Sequence, residues 1–125
     1  MGEIDFQQLY EILDGVLPEA WIKVVFRAEY REGCYSMKYY VKDQTGNFID
    51  CYNLQEITEN DIINAYIEID KLLYPERQKL DDDKQWSVLT FSIDSEGIFK
   101  TEFSYDDIDD KYFVYINEWK KKYLV

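Results

Sequence analysis

Histidine is absent from this 125-residue chain. That absence excludes Ser-His-Asp and Cys-His nucleophilic sites, and every metal centre that needs an imidazole ligand. Cysteine is scarce as well: Cys34 and Cys51 are too few for a disulfide framework. Both fall in predicted strands, and the expectation is two small buried thiols in a reducing cytosol. No apolar run approaches the roughly 20 residues of a membrane span. The opening residues, MGEIDFQQL, are acidic and amphipathic and do not read as a signal peptide. Gly2 is no myristoylation site, because Phe6 stands where that motif wants Ser or Thr. Neither a nucleophile–base pair nor a phosphate-cradling glycine-rich loop is visible, so the sequence reads as no enzyme and as needing no cofactor.

What the chain has in excess is negative charge and aromatic rings. It is 46% hydrophobic and 18% aromatic, too rich for a disordered segment despite a net charge of −12. Its length fits one domain, residues 1–125, with one core. The charge repels phosphates at long range, which argues against nucleic acid and anionic membranes and favours a basic protein partner. It is also uneven. Ten acids against Lys84 and Lys100 occupy residues 81–110, whereas Lys120, Lys121 and Lys122 stand near the other end.

Periodicity divides the chain into eight elements. Residues 4–17 carry Phe6, Leu9, Tyr10, Leu13, Val16 and Leu17 at helical spacing, stopped by Pro18. Residues 22–30 and 35–42 alternate as strands, the first with Lys23, Arg27 and Glu29 on a polar outer face. Residues 48–52 read as a third, short strand. Leu54 to Tyr74 changes to helical period, with Thr58 and Asp61 as an N-terminal capping pair and Pro75 as its end. Residues 75–85 then form a charged, mobile connection. Trp86 to Tyr105 reads as a β-hairpin turned by Asp94-Ser95-Glu96-Gly97. A last helix spans residues 109–122, with Asp109 and Asp110 at the positive end of its dipole and the lysines at the negative end. The order α-β-β-β-α-β-β-α predicts an α+β domain with an antiparallel sheet of about five strands and helices covering one face.

Two acidic runs are the candidate sites: Asp81, Asp82 and Asp83, and Asp106 and Asp107 directly after Tyr105. Neither has the glycine turn of a calcium loop, so neither is read as a metal site. Paired carboxylates could carry acid–base chemistry, but acids are everywhere in this chain. Core duty accounts for Phe26, Phe91, Phe99, Phe103 and Trp119 by their spacing. Tyr35, Tyr39, Tyr40, Tyr52 and Tyr105 are different, because a strand such as YSMKYYV cannot bury both faces in a one-sided sheet. Tyrosine beside aspartate makes good interface material, and Tyr40 and Tyr105 join the acids as expected partner contacts.

The chain resembles the YezG-like antitoxin, or immunity protein, family of bacterial polymorphic toxin systems. The resemblance rests on Leu17-Pro18-Glu19-x-Trp21-x-Lys23, on Trp86-x-x-Leu89-Thr90-Phe91-x-Ile93, and on Gly97-x-Phe99-Lys100. It rests further on Phe103-x-Tyr105-Asp106-Asp107 and on Trp119-x-x-Lys122-Tyr123-Leu124. It implies a small cytoplasmic protein, monomer or small oligomer, that binds a secreted toxin's C-terminal domain and blocks it. Nuclease toxins are common targets of such systems, and a nuclease cleft is basic. Most of these motif residues belong to the fold; Tyr105, Asp106 and Asp107 are the expected contacts. An acidic adaptor or chaperone that binds a basic protein without inhibiting it is the alternative.

Overall fold

The computed structural model describes residues 3–108 and 111–125. Gly2, Asp109 and Asp110, and the readings placed on them, lie outside the described residues. Three helices and five strands follow in the order α1 (Phe6–Asp14), β1 (Lys23–Arg31), β2 (Cys34–Lys42), β3 (Phe48–Asp50), α2 (Glu59–Gln78), β4 (Val88–Asp94), β5 (Phe99–Ser104) and α3 (Tyr112–Tyr123). Single 3₁₀ turns cover Cys51–Asn53 and Asp82–Lys84. The five strands make one antiparallel sheet in the order β3-β2-β1-β4-β5. It is a single α+β arrangement with the element order expected from periodicity.

Local chemistry fixes the ends of the elements. The Asp5 carboxylate caps α1 by accepting from the Gln8 N–H, and the Thr58 hydroxyl caps α2 by accepting from the Asp61 N–H. The β4–β5 turn closes as expected. Gly97 has φ +88°, and the Asp94 carboxylate accepts from the N–H groups of Glu96 and Ile98 at 2.9 and 3.0 Å.

Pro75 does not end α2; it lies inside the helix, which runs on to Gln78. The proline removes one donor, but the turn after it is closed by the Lys79 N–H on the Pro75 carbonyl. That extra turn carries Arg77, whose Nε donates to the Trp86 carbonyl at 2.7 Å and ties the helix to the start of β4.

The helices cover both faces of the sheet, not one. On the first face Val24, Phe26, Ala28, Tyr39, Leu89 and Phe91 meet Leu9 and Leu13 of α1 and Ile62, Ile69 and Leu73 of α2. On the second, α3 lays Trp119 over Val25 and Tyr40. The supposed polar outer face of β1 is therefore covered: Arg27 and Glu29 are buried beneath α3, with Thr90 beside them. Alternation identifies two faces but not what lies over each. The thiols also divide. Cys51 is buried in a 3₁₀ turn against the Tyr66 hydroxyl, whereas Cys34 is exposed at the β1–β2 turn.

Two of the five aromatics assigned to the core are exposed. Phe99 and Phe103 stand on β5, an edge strand, and Phe103 keeps 39% of its surface in water. Trp86, by contrast, is 2% exposed, with Tyr30 edge-on at 5.3 Å and Phe103 at 5.6 Å. Urea unfolding should separate the two. Trp86→Ala is expected to cost about 3–5 kcal/mol, and Phe103→Ala on the order of 1–2 kcal/mol for its partial burial. Equal losses would mean that the edge strand is as deeply packed as the centre.

Candidate partner-binding site

Both acidic runs sit at the same end of the sheet, and the hairpin register puts them there. Val88 pairs with Ser104, and one residue further out the Ser87 N–H donates to the Ser104 carbonyl at 2.7 Å. The Ser87 hydroxyl donates to the same carbonyl at 3.0 Å. The chain entering β4 therefore runs beside the chain leaving β5. Asp81, Asp82 and Asp83 lie just before that junction, and Tyr105, Asp106 and Asp107 just after it. All six are exposed.

Each run is held from both sides. Asp81–Lys84 is a tight turn in which the Lys84 N–H donates to the Asp81 carbonyl at 2.8 Å. The Gln85 side chain closes it by donating to the Leu80 carbonyl at 3.2 Å. Of the 75–85 connection, residues up to Gln78 continue α2 and Asp82–Lys84 form a 3₁₀ turn. After the second run, Ile108 is buried, at a cavity it lines with Val88, Tyr115 and Trp119. It pins the chain after the aspartates, so Asp106 and Asp107 project from a loop with two fixed ends.

At this end of the sheet, reached by Leu80 before the first run and by Tyr105 before the second, lies an apolar groove of 570 Å³. Ile4, Phe6, Leu80, Trp86, Phe103 and Tyr105 line it, with Glu3, Glu76 and Lys84 on its margin. Tyr105 is 60% exposed there. Tyr40 is not part of this surface. It is 8% exposed, on the opposite face, with its ring 5.8 Å from Trp119. The expectation of an outward Tyr40 fails because α3 covers its side of β2. Tyr35 and Tyr52 are exposed, while Tyr39 is buried and donates to the Val16 carbonyl at 2.6 Å.

A larger cavity, 830 Å³, opens at the other side of α2's end, between Tyr30, Tyr35, Asp70, Tyr74 and Arg77. Asp82 lines this cavity and not the groove, while Tyr30, Asp70 and Arg77 are already committed. The Tyr30 hydroxyl donates to Asp70 at 2.6 Å, and burial followed by that bond pushes its pKa far above the ordinary phenol range. Burial lowers the Arg77 pKa, and the guanidinium is spent on the Trp86 carbonyl and the Tyr30 ring. These groups lock α2 to the sheet rather than wait for a substrate. Among the described residues no three carboxylates or thiols converge as a metal site, and no helix is long and apolar enough to cross a membrane.

The convergence of the two runs was countable from the sequence. Stepping outward from the Asp94–Gly97 turn brings Val88 opposite Ser104, and so Trp86 and Ser87 beside Tyr105 and Asp106. The groove was not countable, because Ile4, Phe6 and Leu80 come from three distant segments.

Comparison with known proteins bears on the whole of this architecture. The sequence profile described as "Immunity protein YezG-like" matches residues 4–125. The chain belongs to the YezG-like immunity protein family. A relative from Bacillus subtilis (strain 168), named Immunity protein YezG, is 24% identical over 110 residues, covering 82% of this chain and 72% of that protein. The YezG-like match spans all eight elements and includes both acidic runs, so the site lies within the family domain.

Proposed function

We propose that this protein is an immunity protein that binds a cognate secreted bacterial toxin domain in the cytoplasm and neutralises it as a stoichiometric complex. The toxin domain is a basic nuclease from a polymorphic toxin system. One observation carries the reading: two acidic runs far apart in sequence are exposed at the end of the sheet where Tyr105 and the apolar groove lie. A nuclease cleft is basic because it must hold phosphates, so an acidic surface is steered to it and competes with nucleic acid. The exposed rings of Phe103 and Tyr105 supply contact area that salt does not screen. The protein acts by occupancy and performs no chemistry of its own.

Co-expression tests this. The toxin domain encoded beside this gene should arrest growth when expressed alone, and this chain should restore growth and protect nucleic acid from degradation. Restored growth with continuing degradation would remove the nuclease reading. Binding without any rescue would make the protein an acidic adaptor instead.

A further inference from the structure

The groove at the acidic end of the sheet has no explanation in the fold. Trp86 forms its floor and is satisfied within the core. Phe103 and Tyr105 nevertheless stand on an edge strand and its exit with much of their ring surface in water. Phe6 stacks on Phe91 at 6.0 Å, meets Phe99 at 6.3 Å, and lines the same space. A cavity of 570 Å³ falls within the roughly 300–1,000 Å³ of pockets that take an organic group. An open apolar concavity of this kind marks an interaction site.

Its rim restricts what can enter. Glu3 and Glu76 line the margin, and the Glu76 carboxylate is held in place by Lys79 at 2.8 Å and by the Glu3 N–H at 2.9 Å. Asp81 follows directly on Leu80, and Asp106 on Tyr105. Lys84 is the one base among the lining residues. An anionic ligand, such as a fatty acid or an acidic peptide, meets repulsion from this rim. So does a second copy of a chain with net charge −12, whose own acids would face these.

We propose that the groove is the anchor site of the interface, taking one apolar side chain of the partner presented between basic residues. This rests on the reading of the acidic end as the partner surface and adds its chemistry. The ring or aliphatic group fills the space between Leu80, Trp86 and Phe103. The flanking Lys or Arg side chains lie along Tyr105 and reach Glu3, Glu76 and, beyond Tyr105, Asp106. Selectivity then comes from the buried group and orientation from the rim.

The three tryptophans give a built-in readout. In the ¹⁵N-labelled full chain, Trp86 reports on the groove, while Trp21 and Trp119 line separate cavities and serve as controls. Titration with the capped tripeptide Lys-Phe-Lys should move the Trp86 indole resonance saturably and leave the other two in place. Capped Lys-Ala-Lys and Glu-Phe-Glu, and octanoate, should each bind at least about tenfold more weakly, the effect of losing one anchor group or its charge match. Tyr105→Ala should weaken the Lys-Phe-Lys response while the Trp21 and Trp119 resonances stay native. Equal binding of Lys-Ala-Lys would overturn the anchor, leaving surface charge alone. Equal binding of octanoate or Glu-Phe-Glu would overturn the basic occupant. A Trp86 shift that depends on protein concentration without peptide would assign the groove to a second copy. The tripeptides are not the toxin, so these failures leave the rescue experiment to decide neutralisation separately.

Discussion

Lysine in place of Asp82, Asp83, Asp106 and Asp107 together should slow association with the toxin domain by on the order of 10–10³-fold at low ionic strength. The dissociation rate should change much less, because rim charges act on the encounter and buried anchors on residence time. The effect should shrink as salt rises, since these carboxylates are exposed and screened within a Debye length of roughly 10 Å at 0.1 M. The fold should survive, as the substituted residues are exposed and lie outside the three α-helices and five strands. Splitting the variant sharpens the result. Because the hairpin register places both runs at one end, Asp82→Lys with Asp83→Lys and Asp106→Lys with Asp107→Lys should each give a substantial part of the whole. Both aspartates of the second run are engaged within the protein, Asp106 by the Ser104 hydroxyl at 3.4 Å, so unfolding curves of each single variant accompany the rates. Stopped-flow association at several salt concentrations reads all of this. An association rate unchanged in the fourfold variant would leave the acids as solvated loop residues and remove the steering argument.

Much of the fold was legible because alternation and helical spacing report which residues share a face. They do not report depth. Phe91 and Phe103 have the same period-two signature, yet Phe91 sits on a central strand and Phe103 on the edge, so one is core and the other lines a groove. Strand order decides that, and it depends on long-range pairing of β1 with β4 across the α2 connection. Arg27 and Glu29 were legible as a polar face and illegible as a buried one. The stripe of Tyr112, Tyr115, Ile116, Trp119 and Tyr123 announced a packed helix but not which side of the sheet it would choose. Once α3 takes the second face, Trp119 Nε1 donates to the Thr90 hydroxyl at 2.8 Å and the Tyr123 hydroxyl to Glu102 at 2.8 Å. Tyr40 changes from candidate contact to packing residue for the same reason. At the candidate site the residue types were readable, and their proximity was readable only through the hairpin count.

The covered polar face makes the other large prediction, one of stability. Glu29 is 2% exposed. One of its oxygens receives Arg27 at 2.9 Å and the other the Tyr112 hydroxyl of α3 at 2.7 Å. Arg27 is 5% exposed, lies 5.2 Å from the Trp119 ring, and among the described residues has no hydrogen-bond partner for its Nε. Glu29→Ala strands the guanidinium without a counter-charge and should destabilise the protein by about 3–5 kcal/mol. Removing both charges, as Arg27→Met with Glu29→Leu, should cost far less, because apolar side chains of similar volume avoid the desolvation penalty that the pair must offset. The Tyr112 hydroxyl then loses its acceptor, a loss of roughly 1–3 kcal/mol, which Tyr112→Phe added to the double variant should largely restore. Denaturant unfolding gives the energies, and amide exchange in α3 locates them: Glu29→Ala should raise exchange from Tyr112 to Tyr123 before it reaches β1. A Glu29→Ala cost below about 1 kcal/mol, in the range of an exposed ion pair, would mean that water reaches the pair and that α3 does not seal this face. Because Glu29 lies beneath α3 and the groove opens beside α1, loss of stability here and loss of partner binding at Tyr105 should be separable in one set of variants.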